Sequence, residues 1–399
     1  MHQLKKVPKA EIQNRIADFQ QRLQKLELDG ALITQNIDLF YLSGTMQNGI
    51  LFVPADGQAQ LYIKKSVERA RFETCLPVEP LGRSKELKNR IINQFGPIKR
   101  IGFELDVVPY NLIQKYLHLF PEIEPVDISY ELRMQRAVKS EFELNHIRKA
   151  AQKVNQIIAS IPKMIRLGMT EIELAALIEQ ALRVQGNSNV YHVRGFNQEM
   201  TLGVVSSGAA AAIPSFFDGP AAGLGVSVAS PMSAGFKKIE KGEPILLDIG
   251  TICEGYFIDQ TRLAVIDQLE PELERAYQVS QAILREVEQM ALPGVPWEQV
   301  YLRALELVED SGLGDYFMGY QENQIKFLGH GVGLEVDELP VLARGFQQPL
   351  TEGMIIAIEP KFIFPERGVI GLENTYVVTK TGLESISISS EELIQIDQL

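Results

Sequence analysis

Two runs decide how this chain folds: Pro244-Ile-Leu-Leu-Asp-Ile-Gly-Thr-Ile252 and Tyr256-Phe-Ile-Asp-Gln-Thr-Arg-Leu-Ala-Val-Ile266, separated by Cys253-Glu254-Gly255. Both are short and apolar, and the turn residues between them make an antiparallel hairpin. Asp248 and Asp259 each interrupt an apolar run, so folding buries them at a desolvation cost. A turn centred between Cys253 and Glu254 would set them directly opposite one another, with Cβ atoms about 5 Å apart, where like charges destabilise a sheet. A bound cation removes both penalties.

The construction recurs. Met354-Ile-Ile-Ala-Ile-Glu-Pro-Lys-Phe-Ile-Phe364 and Val369-Ile-Gly-Leu-Glu-Asn-Thr-Tyr-Val-Val378 flank Pro365-Glu-Arg-Gly368, and a three-residue loop makes Glu359 and Glu373 cross-strand partners about Glu366. Between the two hairpins lies Gly329-His-Gly-Val-Gly333, where glycines permit close backbone approach and leave the His330 ring reachable. Four carboxylates and one imidazole form a hard, oxygen-dominated set suited to manganese, iron, cobalt or zinc. A pair of divalent ions would balance the four negative charges and hold a hydroxide at neutral pH, so hydrolysis is the expected chemistry.

The rest of the chain sets the frame. Its 399 residues suit two domains, and 45% hydrophobic with 23% charged residues is an ordinary globular composition. The formal charge of −12 repels polyanions, so no nucleic acid or anionic membrane partner is expected. Met-His-Gln-Leu-Lys-Lys-Val-Pro8 has no apolar run behind its positive charge and does not read as a signal peptide. Two cysteines, Cys75 and Cys253, far apart and without metal-type spacing, fit a reducing cytoplasm and are expected to be buried thiols.

Residues 1–133 alternate helical and strand patterns. Ala10–Leu28 reads as a helix, Ala31–Thr34 as a strand, and Gly49–Pro54 with Gln58–Ile63 as a hairpin, which together make a small α/β unit. Ser140-Glu-Phe-Glu143 then caps a long amphipathic run, so the second domain is placed at 134–399. Thr170 with Glu173 forms a second capping box. Helices are expected at Pro271–Met290 and Pro296–Ser311, and Gly219–Gly235 has no periodicity and reads as a loop.

Asp248, Asp259, His330, Glu359 and Glu373, standing in Leu247-Asp-Ile-Gly250, Gly255-Tyr-Phe-Ile-Asp-Gln-Thr-Arg262, Gly329-His-Gly-Val-Gly333, Ile358-Glu-Pro360 and Leu372-Glu-Asn374, resemble the metal-ligand signature of the creatinase/methionine aminopeptidase ("pita-bread", M24) superfamily. The match is nearest to its Xaa-Pro peptidase branch, prolidase and aminopeptidase P. The resemblance covers essentially the whole chain. It implies an α/β (α+β) protein with a creatinase-like N-terminal domain, a pita-bread catalytic domain, two divalent ions and a homodimer. Glu359 would take the proton of the attacking water.

Two positions depart from the peptidases. Where they carry a histidine after the Pro of a Ser-Gly…Pro-His segment, Ser206–Ser215 has Ser215; where they carry His-Glu-x-Pro, Val336–Pro340 has Asp337. Serine donates weakly to a substrate carbonyl and an ionised aspartate cannot donate. His192 is the candidate replacement imidazole, Arg194 and Arg344 are candidate binders of a substrate carboxylate, and the 219–235 segment is expected at the pocket mouth. Three readings follow: a dinuclear Xaa-Pro peptidase; a creatinase-like hydrolase or lyase of small molecules on the same scaffold; and a metal- or partner-binding protein without catalysis.

Overall fold

The structure, a computed structural model, describes residues 4–201 and 203–397. Met1–Gln3, the start of the N-terminal stretch read above, lie outside the described residues. Two compact units result, Met1–Gln135 and Arg136–Leu399.

The first unit is a six-stranded mixed sheet ordered Val78–Pro80, Gln60–Ile63, Gly49–Pro54, Gly30–Ile33, Arg100–Phe103, Glu124–Asp127. Gly30–Ile33 runs antiparallel to the hairpin strand Gly49–Pro54 and parallel to Arg100–Phe103. Helix Lys9–Lys25 buries Ile12, Ile16, Phe19 and Leu23, a stripe at three- and four-residue spacing. Cys75 is exposed, contrary to expectation, because it falls in the bend between helix Val67–Glu73 and strand Val78–Pro80 instead of on a packed element.

The second unit has two larger sheets. One is ordered Ile394–Ile396, Thr261–Ile266, Ile245–Ile249, Gly203–Ser207; the other Glu338–Ala343, Phe327–Gly331, Ile355–Ile358, Asn374–Thr379, Gly382–Ser385. Helix Glu141–Met164 starts at the capping box of Ser140 and Glu143, helix Glu171–Val184 at that of Thr170 and Glu173, and helices Pro271–Met290 and Trp297–Ser311 complete the frame. Among the described residues no helix is long and apolar enough to cross a membrane.

Each hairpin that carries the acids leaves its sheet partway along. The first splits at Gly250 and at Asp259-Gln260 into the ribbon Thr251–Cys253 with Tyr256–Ile258. The second splits at Glu359-Pro360 and Leu372-Glu373 into the ribbon Lys361–Phe364 with Gly368–Gly371. Asp259, Glu359 and Glu373 therefore sit at the breaks, where the ladder is interrupted and side chains can converge.

The first register differs from the expected one. The turn is centred on Glu254-Gly255, with positive φ at both central positions (51° and 92°) as in a type I′ hairpin turn, a conformation glycine takes freely. Asp248 consequently pairs with Thr261, not with Asp259, which stands diagonally from it on the same face. The second register is as read: Ile358 pairs with Asn374 and Lys361 with Gly371, which puts Glu359 opposite Glu373.

Candidate metal centre

Asp259, His330 and Glu373 each offer a ligand atom within 4.8 Å of the others, and all three are buried. His330 comes from strand Phe327–Gly331, whose neighbour Ile355–Ile358 ends beside Glu359. The strands are close because Gly329 faces the Ala357 carbonyl, where any Cβ would meet the oxygen at 2.2 Å. His330 Nδ1 lies 3.1 Å from the Gly331 carbonyl oxygen and 3.2 Å from that of Val336. Carbonyls only accept, so Nδ1 carries a proton, and Nε2, 3.7 Å from Glu359 Oε1, is the ring nitrogen left to bind an ion.

Burial raises the Asp259 carboxyl well above its ordinary range, and the charges of Glu373 and Asp248 push it further. Burial also raises Glu373, with Lys361 opposing. For His330, burial lowers the pKa, but the carboxylates of Asp337, Glu359 and Glu373 outweigh it and the net direction is upward. This is the electrostatics of a negative cavity short of positive charge. Among the described residues Glu373 Oε1 is buried with no hydrogen-bond partner, a cost that a cation would remove. The three residues thus fit a divalent ion by donor type, proximity and unmet charge.

Asp248 and Glu359 are held differently. Lys361 Nζ donates to Asp248 Oδ2 at 2.9 Å, Glu359 Oε2 at 2.8 Å and Glu373 Oε2 at 3.2 Å. The sequence reading passed over this lysine, although period-two alternation along Glu359-Pro-Lys361 puts it on the face of Glu359.

Threonines hold the Glu373 carboxylate and the Asp259 main chain. Thr261 Oγ1 donates to Glu373 Oε2 at 2.8 Å, Thr375 Oγ1 donates to the Asp259 carbonyl at 2.7 Å, and the main chains of Thr261 and Glu373 bond to each other reciprocally. Thr261→Val, which keeps the shape and loses the hydroxyl, should weaken metal affinity about tenfold to a hundredfold. Competition with a chromophoric chelator measures it, and unchanged affinity would show that Thr261 does not orient the ligand.

The loop after His330 is fixed from below. Glu338 accepts the amides of Leu334 (2.9 Å) and Glu335 (3.1 Å), pairs with Lys139 at 2.8 Å and contacts Arg136. Arg136 also reaches Glu335 at 2.8 Å. These bonds hold Val336, whose carbonyl aligns His330, and Asp337, whose Oδ1 lies 3.4 Å from His330 Nδ1.

A cavity of about 40 Å³ lies over the acids, lined among others by Asp218, Phe217, Pro220, Met232 and Asp337. A larger one of about 400 Å³ shares the wall Phe217–Pro220 with it but holds none of the five ligand candidates. The chemistry therefore belongs to the small cavity. Ser215 lines the larger one, with its hydroxyl donated to the Pro231 carbonyl at 2.6 Å. Gly219, Pro220, Ala221 and Met232 of the irregular 219–235 segment line the small cavity.

The other candidates stand apart. His192 lines a separate cavity with Tyr191 and Phe257, and its carbonyl accepts the Val336 amide at 2.9 Å. Burial and then Arg136 lower its pKa, which favours the neutral ring. Arg194 is buried against Glu335 at 3.8 Å, and Arg344 is exposed in the turn after strand Glu338–Ala343.

Comparison with known proteins agrees with this arrangement. Residues 145–380 match metallopeptidase family M24, and residues 15–138 match the creatinase/prolidase N-terminal domain. The Xaa-Pro dipeptidase of Pyrococcus horikoshii is 27% identical over 375 residues, covering 93% of this chain and 96% of that protein. The uncharacterized peptidase YqhT of Bacillus subtilis is 28% identical over 377 residues, covering 93% and 96%. Among solved structures, the prolidase of Pyrococcus horikoshii OT3 superposes with a TM-score of 0.80 at 25% identity, covering 96% of this chain and all of that one. Dipeptidase PepE of Mycobacterium ulcerans gives a TM-score of 0.81 at 25% identity, covering 99% and 100%. With the family match spanning more than half its length, the chain belongs to metallopeptidase family M24 and carries a creatinase/prolidase N-terminal domain ahead of its catalytic one.

Proposed function

We propose that this chain hydrolyses the Xaa-Pro bond of short peptides in a reaction that depends on a divalent ion of the manganese, iron, cobalt or zinc group. The observation that carries the reading is the convergence of Asp259, His330 and Glu373, with an unpaired Glu373 oxygen, under a cavity in a chain of this family. An ion held there would supply Lewis acidity at neutral pH.

The remaining work falls to the chain. Glu359 is buried, has one oxygen held by Lys361 and the other facing His330, and accepts the proton of the attacking water. Burial raises its pKa, which brings its basicity toward neutral pH, although Lys361 opposes the rise. Phe217, Pro220 and Met232 give the cavity apolar walls for a proline ring, and Asp218 and Asp337 supply negative charge for a free α-amino group.

Ser215 and Asp337 stand at the positions where the resemblance expects imidazoles, so donors to the substrate carbonyl are fewer here. His192 is set aside as their substitute because it lines another cavity. The family resemblance supports a cytoplasmic homodimer.

The test is turnover by the purified chain, loaded in turn with each of the four metals, on Xaa-Pro dipeptides, longer Xaa-Pro peptides, amidino compounds and sulfonium compounds. Cleavage of Xaa-Pro peptides that stops on chelation is expected. Turnover confined to the amidino or sulfonium compounds would replace the peptidase reading with the creatinase-like one, and none at all would favour a binding protein.

A further inference from the structure

The acid cluster divides into two halves. One half is Asp259, His330 and Glu373, whose ligand atoms converge. In the other, Asp248 Oδ2, Glu359 Oε2 and Glu373 Oε2 surround Lys361 Nζ at 2.9, 2.8 and 3.2 Å. Glu373 serves both, with Oε2 on the ammonium side and Oε1 left without a partner.

The strand geometry builds this position for a lysine. Lys361 is 1% exposed and pairs with Gly371 across the ribbon. A Cβ on Gly371 would meet Lys361 Cγ at 2.6 Å, so the missing side chain is the space through which the lysine stem passes. The Lys361 carbonyl accepts the Met318 amide at 2.8 Å, which fixes the residue at its base. Anchored at both ends, the side chain delivers its charge to the middle of the acids.

That charge competes with a second metal ion. Carboxylate oxygens bind a divalent ion of this group at about 2.0–2.2 Å, and the oxygens needed are the ones already bonded to the ammonium. Two cations on the same oxygens repel each other. One ammonium and one divalent ion together leave the four carboxylates a single charge short of neutral, which the buried site tolerates far better than the bare acids.

We propose that Lys361 permanently occupies one of the two cation positions, so that the centre binds a single divalent ion, at Asp259, His330 and Glu373. This rests on the metal-dependent reading above and replaces the two ions that the carboxylate count suggested. Lys361 is here a positioning residue that fixes the unused oxygens of Asp248, Glu359 and Glu373.

The experiment is manganese titration of the intact protein, with bound metal counted by mass spectrometry and the spin state followed by electron paramagnetic resonance. Wild type should bind one equivalent with the spectrum of an isolated ion. Two equivalents with an exchange-coupled spectrum would overturn the lysine proposal and leave the metal-dependent reading standing. No binding of any of the four metals would overturn the metal-dependent reading itself. Lys361→Gly should bind a second equivalent and give the coupled spectrum; a folded variant that stays at one would overturn the proposal. Should the variant fail to fold, the wild-type spectrum decides alone.

Discussion

Asp259→Ala should reduce turnover on Xaa-Pro substrates by more than about a hundredfold, beyond the tenfold to hundredfold that follows loss of a group merely supporting a ligand. The residue contributes one of three converging ligand atoms, and two ligands hold a divalent ion poorly. Stability should move the other way. The Asp259 carboxyl is destabilised first by burial and then by Glu373 and Asp248, so its removal relieves the metal-free protein of repulsion. Thermal unfolding without metal should therefore show a midpoint unchanged or raised. Retained turnover with a full complement of metal would remove Asp259 from the centre.

The opposite pattern is expected for Arg136→Ala, which should cost about 3–5 kcal/mol because it leaves Glu335 and Glu338 buried beside a missing charge. Denaturant unfolding measures it, and a loss below about 1 kcal/mol would mean that the acids find another partner. The same network predicts a pH dependence. Burial alone would raise the Glu338 pKa, but Arg136 and Lys139 outweigh it and bring the value from 4.5 to about 2. A carboxylate with a depressed native pKa adds stability that is fully present above its unfolded value and is lost as pH falls through the native one. The contribution, about 3 kcal/mol, should thus be whole above about pH 5 and gone below about pH 2. A flat stability curve across that window would contradict it.

The acids were legible because a carboxylate within an apolar strand conflicts with its neighbours, and the conflict stands in the sequence. Glu359 opposite Glu373 followed from loop length alone. The partnership of Asp248 was misplaced by one step of the turn, since which two residues take positive φ is a local competition that Gly255 wins. Lys361 was missed for a different reason: a lysine in a strand ordinarily reaches solvent, and only the paired Gly371 indicates that this one points inward. The Arg136, Lys139 and Glu338 network joins residues some 200 positions apart, a separation over which no periodicity carries information. His192, chosen for nearness in sequence to Ser215, belongs by its backbone bond to the Val336 loop.

The crossed threonines of the centre tie metal content to the integrity of the domain. Asp259 and Thr261 lead into one sheet and Glu373 and Thr375 into the other, and the threonine two residues beyond each acid reaches across, Thr261 to the Glu373 carboxylate and Thr375 to the Asp259 main chain. The starts of the two strands cannot part without breaking these bonds, so loss of an ion held between Asp259 and Glu373 and separation of the sheets would be linked equilibria. An ion held there would work as a rivet as well as a reagent: at a thousandfold excess over its Kd, binding to the folded chain alone would add about 4 kcal/mol against unfolding.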